Sequence, residues 1–182
     1  MLVQETHISD LLVIKPSVFQ DSRGYFMESY NSRLFKETTK LNIDFVQDNE
    51  SMSNKGVLRG LHFQKPPHDQ GKLVRVVRGS VLDVAVDIRR NSETFGQYYS
   101  IVLSEENKTQ FYVPPGFAHG FLVLEDQTIF SYKCSGFYNK ESEVSLRWDD
   151  PDINIEWGIK DPILSEKDKN SSVIWSNLDS PF

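Results

Sequence analysis

From Val81 to Arg89 the chain alternates strictly. Leu82, Val84, Val86 and Ile88 fall on one side, and Asp83, Ala85, Asp87 and Arg89 on the other. A period of two sends successive side chains to opposite faces of an extended chain, so these residues form a strand. Lys72 to Val77 reads as a second strand, separated from the first by a turn at Arg78-Gly79-Ser80. Further strands are expected at Tyr98–Leu103, Gln110–Val113, His119–Leu124 and Ile129–Cys134. Only two segments carry helix signals. Asn31 or Ser32 can cap a short helix through Leu34, Phe35 and Lys36, and Ser165-Glu-Lys-Asp168 has the spacing of a capping box. Many short strands with little helix between them predict a mostly β fold, an antiparallel barrel or jelly roll with short peripheral helices. Repeats, low-complexity tracts and linker-like stretches are absent, so residues 1–182 are expected to form one domain.

The bulk properties exclude several function classes. With 38% hydrophobic and 25% charged residues the chain suits a packed globular domain rather than a disordered one. No stretch approaches the ~20 apolar residues of a membrane span. The N-terminal MLVQETHISDLL lacks a basic region followed by an apolar one, so no secretion signal is read there. Cys134 is the only cysteine, which excludes an internal disulfide and makes a reducing cytoplasm the expected compartment. The net charge of −6 gives no electrostatic case for nucleic-acid binding. Arg23, Arg59, Lys72 and Arg75 nevertheless fall in or near glycine-containing segments, and a few such cations suffice to hold a small anion such as a diphosphate.

Four histidines are present, His7, His62, His68 and His119. A metal centre needs several ligands at short strand spacing, but the residue two beyond His62 is Gln64 and no H-x-H pair exists. His119 follows a rigid Pro114-Pro115-Gly116 turn and opens the next strand, where it shares a face with Phe121 and Val123; an isolated histidine there is ordinarily a hydrogen-bonded core residue. Arg59 and His62 lie three apart. A regular strand sends them to opposite faces, and a bulge at Gly60 turns both toward one pocket; the sequence is compatible with either. Tyr132 shares a strand face with Phe130 and Cys134, as a core aromatic would. Asp21 to Ser29, DSRGYFMES, reads by itself as a turn with a charged flank.

Taken together, DSRGYFMESYN, QDNESMSNKGVLRGLHFQ, GKLVRVVRGSVLDVAVDIRRNSETFGQ, FYVPPGFAHGFLVLED and LSEKD resemble the dTDP-4-dehydrorhamnose 3,5-epimerase family, in order from Asp21 to Asp168. The Pro114, Gly116, His119 turn also resembles part of the second cupin motif, although Lys108 replaces the glycine that opens it and the metal-binding H-x-H of the first motif is missing. The resemblance implies a cupin-type jelly roll without metal or redox cofactor, and no Rossmann G-x-G-x-x-G is present. It implies inversion of the two carbons flanking the C4 ketone of a dTDP-linked 4-keto-6-deoxyhexose. It makes His62 the base, Asp168 its partner, Lys72 the stabiliser of the enolate oxygen and Tyr132 the acid on the opposite face. It assigns Arg23, Glu28, Gln47, Asn49, Arg59, His119, Glu143 and Lys167 to substrate binding, and it implies a homodimer. Three rivals stand beside it: a single-carbon epimerase of a related sugar nucleotide, a metal-dependent cupin enzyme, and a non-catalytic sugar-nucleotide-binding module. The last need not keep His62, Lys72 and Tyr132 together.

Overall fold

A computed structural model describes residues 1–171 and 173–182. In chain order the strands are β1 (Leu2–Glu5), β2 (Leu12–Lys15), β3 (Val18–Asp21), β4 (Gly24–Met27), β5 (Gln47–Ser53), β6 (Leu58–Gln64), β7 (Lys72–Arg78), β8 (Ser80–Asp87), β9 (Tyr98–Ser104), β10 (Gln110–Val113), β11 (Phe117–Val123), β12 (Thr128–Cys134) and β13 (Glu143–Ser145). Helix α1 (Ser32–Thr39) lies between β4 and β5, and α2 (Glu166–Lys169) follows β13. Two antiparallel sheets face each other, ordered β1-β2-β10-β7-β12-β5 and β13-β6-β11-β8-β9, with β3 and β4 forming a separate ribbon. This is the cupin-type jelly roll.

The alternation on β8 is used on both faces. Val84, Val86 and Ile88 point outward and are covered by Leu146, Ile153 and Trp157 of the C-terminal segment. Val81 and Ala85 point inward, where they join Val74, Phe111, Phe121 and Phe130 between the sheets. Asp83 and Asp87 also point inward and are fully buried. Asp87 is satisfied by Arg89, Ser92 and Thr94. A third cluster, Leu12, Ile14, Leu73, Tyr112 and Phe35 of α1, closes the outer face of the six-stranded sheet.

Several local expectations need correction. β7 runs to Arg78, and the Gly79 turn does not join neighbours in one sheet: β7 belongs to the six-stranded sheet and β8 to the five-stranded one. Gly79 sits at φ +76°, where an added Cβ would meet Thr128 Oγ1 at 2.3 Å, so only glycine fits this crossing. β11 begins at Phe117, so His119 lies inside the strand instead of opening it. The Asp21–Ser29 segment is not only a turn: Asp21 pairs with Gly24 at the tip of the β3–β4 hairpin. Both helix starts are as read. The Asn31 side chain accepts the Leu34 N–H, and the Ser165 hydroxyl accepts the Asp168 N–H. Asp168 does not complete a capping box, because its carboxylate accepts a hydrogen bond from the Ser165 hydroxyl and turns toward β6.

Candidate active site

β6 carries an extra residue against β11. His62 pairs with His119 and Arg59 with Phe121, so three residues on β6 span two on β11. Gly60 occupies this bulge at φ +136°, and a Cβ on it would meet the Cα of Gly120 at 2.5 Å. The two backbones therefore meet closely through a pair of glycines. The bulge sends Leu58 and Leu61 to the outer cluster and leaves Arg59 and His62 lining one cleft.

That cleft opens between the two sheets. Its inner part, about 260 Å³, is lined by Arg59 and His62 of β6, His119 and Phe121 of β11, Lys72 of β7, Phe130 and Tyr132 of β12, and Ser165, Lys167 and Asp168 at α2. The outer part, about 300 Å³, shares His62, Lys72 and Tyr132 and adds Gln47, Asn49, Gln64, Gln70, Tyr138 and Glu143. His62 thus comes from one sheet, and Lys72 and Tyr132 from the facing one.

His62 Nε2 lies 2.6 Å from Asp168 Oδ1. An ionised carboxylate only accepts, so Nε2 carries the proton and the Nδ1 lone pair is the basic one. Burial acts to raise the Asp168 pKa, but hydrogen bonds from His62 and Ser165 and the charges of His62 and Lys167 outweigh it and hold it below the ordinary carboxylate value. Burial lowers the pKa of Lys72, against the opposing pull of Cys134, Asp83 and Glu143. Burial also raises the Tyr132 pKa, which keeps its phenol protonated at neutral pH. Glu143 accepts from Tyr138 at 3.0 Å and pairs with Lys167 at 2.6 Å; burial pushes its pKa up, and Lys167 brings it below the usual value. Gln47 donates to Asn49 at 3.0 Å, and Asn49 to Cys134 Sγ at 3.6 Å.

Ten of the twelve expected site residues therefore line one cleft. Arg23 and Glu28 do not. Arg23 is exposed at the β3–β4 tip, paired with Asp21 at 2.5 Å, and Glu28 accepts from Asn31 at 3.1 Å beside a different hollow. The sequence reading missed Asp83, whose Oδ1 lies 2.8 Å from His119 Nε2 and whose Oδ2 has no partner among the described residues. The signal was available, since an aspartate amid valines on a strand buried on both faces must find a polar partner inside. Among the described residues no three His, Cys, Asp or Glu side chains gather as a metal ligand set.

A jelly roll with a carboxylate–histidine pair facing a lysine and a tyrosine across a cleft is a cupin-type fold whose site carries the groups for acid–base chemistry. The sequence model of the dTDP-4-dehydrorhamnose 3,5-epimerase family matches residues 5–175, and the chain belongs to that family. It is 54% identical over 170 residues to the dTDP-4-dehydrorhamnose 3,5-epimerase of Shigella flexneri, covering 93% of this chain and 94% of that one. The crystal structure of the Elizabethkingia anophelis enzyme of the same name superposes with a TM-score of 0.92 at 55% identity, covering 97% of both chains. The Legionella pneumophila dTDP-6-deoxy-D-glucose-3,5-epimerase, solved in complex with dTDP-4-keto-L-rhamnose, superposes with a TM-score of 0.91 at 47% identity, covering 94% of this chain and 92% of that one.

Proposed function

We infer that this chain converts dTDP-4-dehydro-6-deoxy-D-glucose to dTDP-4-dehydro-L-rhamnose by inverting C3 and C5. The observation that carries the reading is the His62–Asp168 pair facing Lys72 and Tyr132 across one cleft. Both carbons flank the C4 ketone, so removing either proton places the charge on O4 as an enolate. Inversion then needs a base on one face, a cation at O4 and an acid on the other face. His62 Nδ1 takes the proton, and Asp168 stabilises the resulting imidazolium. Lys72 neutralises O4, and the Tyr132 hydroxyl returns a proton from the facing sheet. Arg59, Lys167 and His119 hold the nucleotide diphosphate and sugar, with Gln47, Asn49 and Glu143 in the outer cleft. No step uses a metal or a redox cofactor.

The working unit is a homodimer of one-domain chains in the cytoplasm. Its support is the ribbon β3–β4, which leaves Phe19 and Phe26 about two-thirds exposed and Tyr25 about half exposed, at 65%, 66% and 53%. Such a ribbon suits a second copy, and Arg23 and Glu28 then complete the partner's cleft.

The test is incubation with dTDP-4-keto-6-deoxyglucose in deuterated water after dialysis against a chelator, read by NMR. Deuterium at C3 and C5 with L-configured product is the expected result. Turnover that returns only on adding a transition metal, or inversion of a single carbon, refutes the reading.

A further inference from the structure

Gln64 lies two residues beyond His62 on β6 and is only 6% exposed. Its carboxamide is bound to the backbone of two loops. Nε2 donates to the carbonyl oxygen of His68 and, at 3.3 Å, to that of Phe137, and Oε1 accepts the Asn139 N–H at 2.8 Å. The same loops are tied by Gln70 Nε2 donating to Gly136 O at 2.7 Å and by the Ser135 N–H donating to Gly71 O at 2.9 Å. The loop after β12 carries Tyr138, half-exposed at the mouth of the outer cleft, with its N–H on Gln47 Oε1 at 3.1 Å.

We propose that Gln64 is a positioning residue that holds the outer rim of the cleft in its binding-competent form, acting on the substrate through Tyr138 and residues 135–139. This rests on the function proposed above. Both Gln64 N–H groups are spent on carbonyls, so neither is free to donate to a ligand. Removing the amide leaves two carbonyls and one N–H without their partner on loops whose His68 and Phe137 are exposed and whose Asn139 is partly so. Such groups recover hydrogen bonds by moving out toward water, which opens the loops. Apparent affinity then falls by the fraction of molecules in which the rim is closed. The reacting groups are held independently, since Asp168 of α2 fixes His62, and Lys72 and Tyr132 stand on the facing sheet. Binding is therefore lost before chemistry.

The experiment compares wild type with Gln64→Met, which keeps the length and removes all three hydrogen bonds, and Gln64→Glu, which keeps the acceptor for Asn139 and sets a carboxylate against two carbonyls. Calorimetry with dTDP gives Kd, and progress curves give KM and kcat. Gln64→Met should raise Kd and KM roughly tenfold, as expected if only about one molecule in ten keeps a closed rim, with kcat at saturation within about twofold of wild type. Gln64→Glu should do at least as much. An unchanged Kd in folded Gln64→Met overturns the proposal. A fall in kcat at constant KM also overturns it, because it assigns Gln64 to the surroundings of His62. Should Gln64→Met fail to fold, Gln70→Met cuts another tie between the same loops; a raised Kd supports the proposal and an unchanged one overturns it. Wild type that neither binds dTDP nor exchanges deuterium refutes the proposed function and this inference together. Wild type that turns over beside unaffected Gln64 variants refutes this inference alone.

Discussion

His62 and Asp168 stand 106 positions apart in sequence and 2.6 Å apart in space, Nε2 to Oδ1. The imidazole belongs to a strand of the five-stranded sheet and the carboxylate to the four-residue helix α2, itself oriented by the Ser165 hydroxyl at 2.8 Å. His62→Ala should lose ~10²–10⁴ in kcat while dTDP binding persists, since the base acts only in the transition state. Asp168→Asn should lose less, because it orients the ring without transferring the proton. Steady-state kinetics beside dTDP calorimetry measure both; near-normal turnover by His62→Ala removes it as the base.

Lys72 predicts a pH dependence. Its pKa lies below the usual 10.5 because burial disfavours the ammonium. As pH rises through that lowered value the ammonium deprotonates and O4 loses its counter-charge, so the alkaline limb of kcat should fall below pH 10.5. The raised Tyr132 pKa does not set this limb. Lys72→Arg keeps its charge and should shift the limb upward. Lys72→Ala should cost on the order of 10²–10³ in kcat. An unchanged kcat with a raised KM makes Lys72 a phosphate ligand instead.

Tyr132→Phe should separate proton removal from inversion. A base acting alone can exchange a proton on its own face without changing configuration. The Phe variant should therefore wash deuterium into the substrate while L-configured product falls sharply, both read by NMR in one sample. Double inversion at the wild-type rate would leave Tyr132 as a core aromatic.

The dimer proposal is testable by complementation. Arg23→Ala and His62→Ala homodimers should each be impaired. Co-refolded at equal amounts, half the dimers are mixed, and each mixed dimer holds one site with both residues native, so activity should recover to roughly a quarter of wild type. No recovery above the average of the two parents places Arg23 outside the partner's site.

Gly60→Ala should destabilise the fold by more than ~2 kcal/mol, since the new Cβ meets Gly120 Cα at 2.5 Å and φ is +136°. Denaturant unfolding measures this, and a loss under ~0.5 kcal/mol would show that the strands can separate without cost.

Much of the architecture was legible because strand alternation leaves a direct trace, as on β8 and β12. The pairing was not. Nothing local tells that Gly79 carries the chain from one sheet to the other, because that depends on which distant strands each side finds. The β3–β4 ribbon escaped because its aromatics are not buried within the chain, so its pattern does not match an internal core. At the site, Gly60 raised the question of where Arg59 and His62 point, and only the register against β11 answers it. Asp168 was visible as a helix-start residue, but a contact across 106 positions has no local signature; it came through resemblance to a family. Gln64 was noted only for failing to be a histidine, and its bonds to three loop residues depend on loops whose course the sequence does not display.

His62, the proposed base, stands on one sheet and Tyr132, the proposed acid, on the other, and between those sheets the rings of Phe121 and Phe130 stack with centroids 4.0 Å apart. Hydrocarbon thickness thus acts as the caliper of the reaction chamber. A methylene added or removed there changes the gap a sugar ring must bridge, although neither ring carries a group that can transfer a proton. Adaptation of this fold toward bulkier or slimmer hexoses is consequently open to mutations that a list of acid and base groups would pass over, since what such a list scores as inert filling sets the distance across which the proposed proton relay must work.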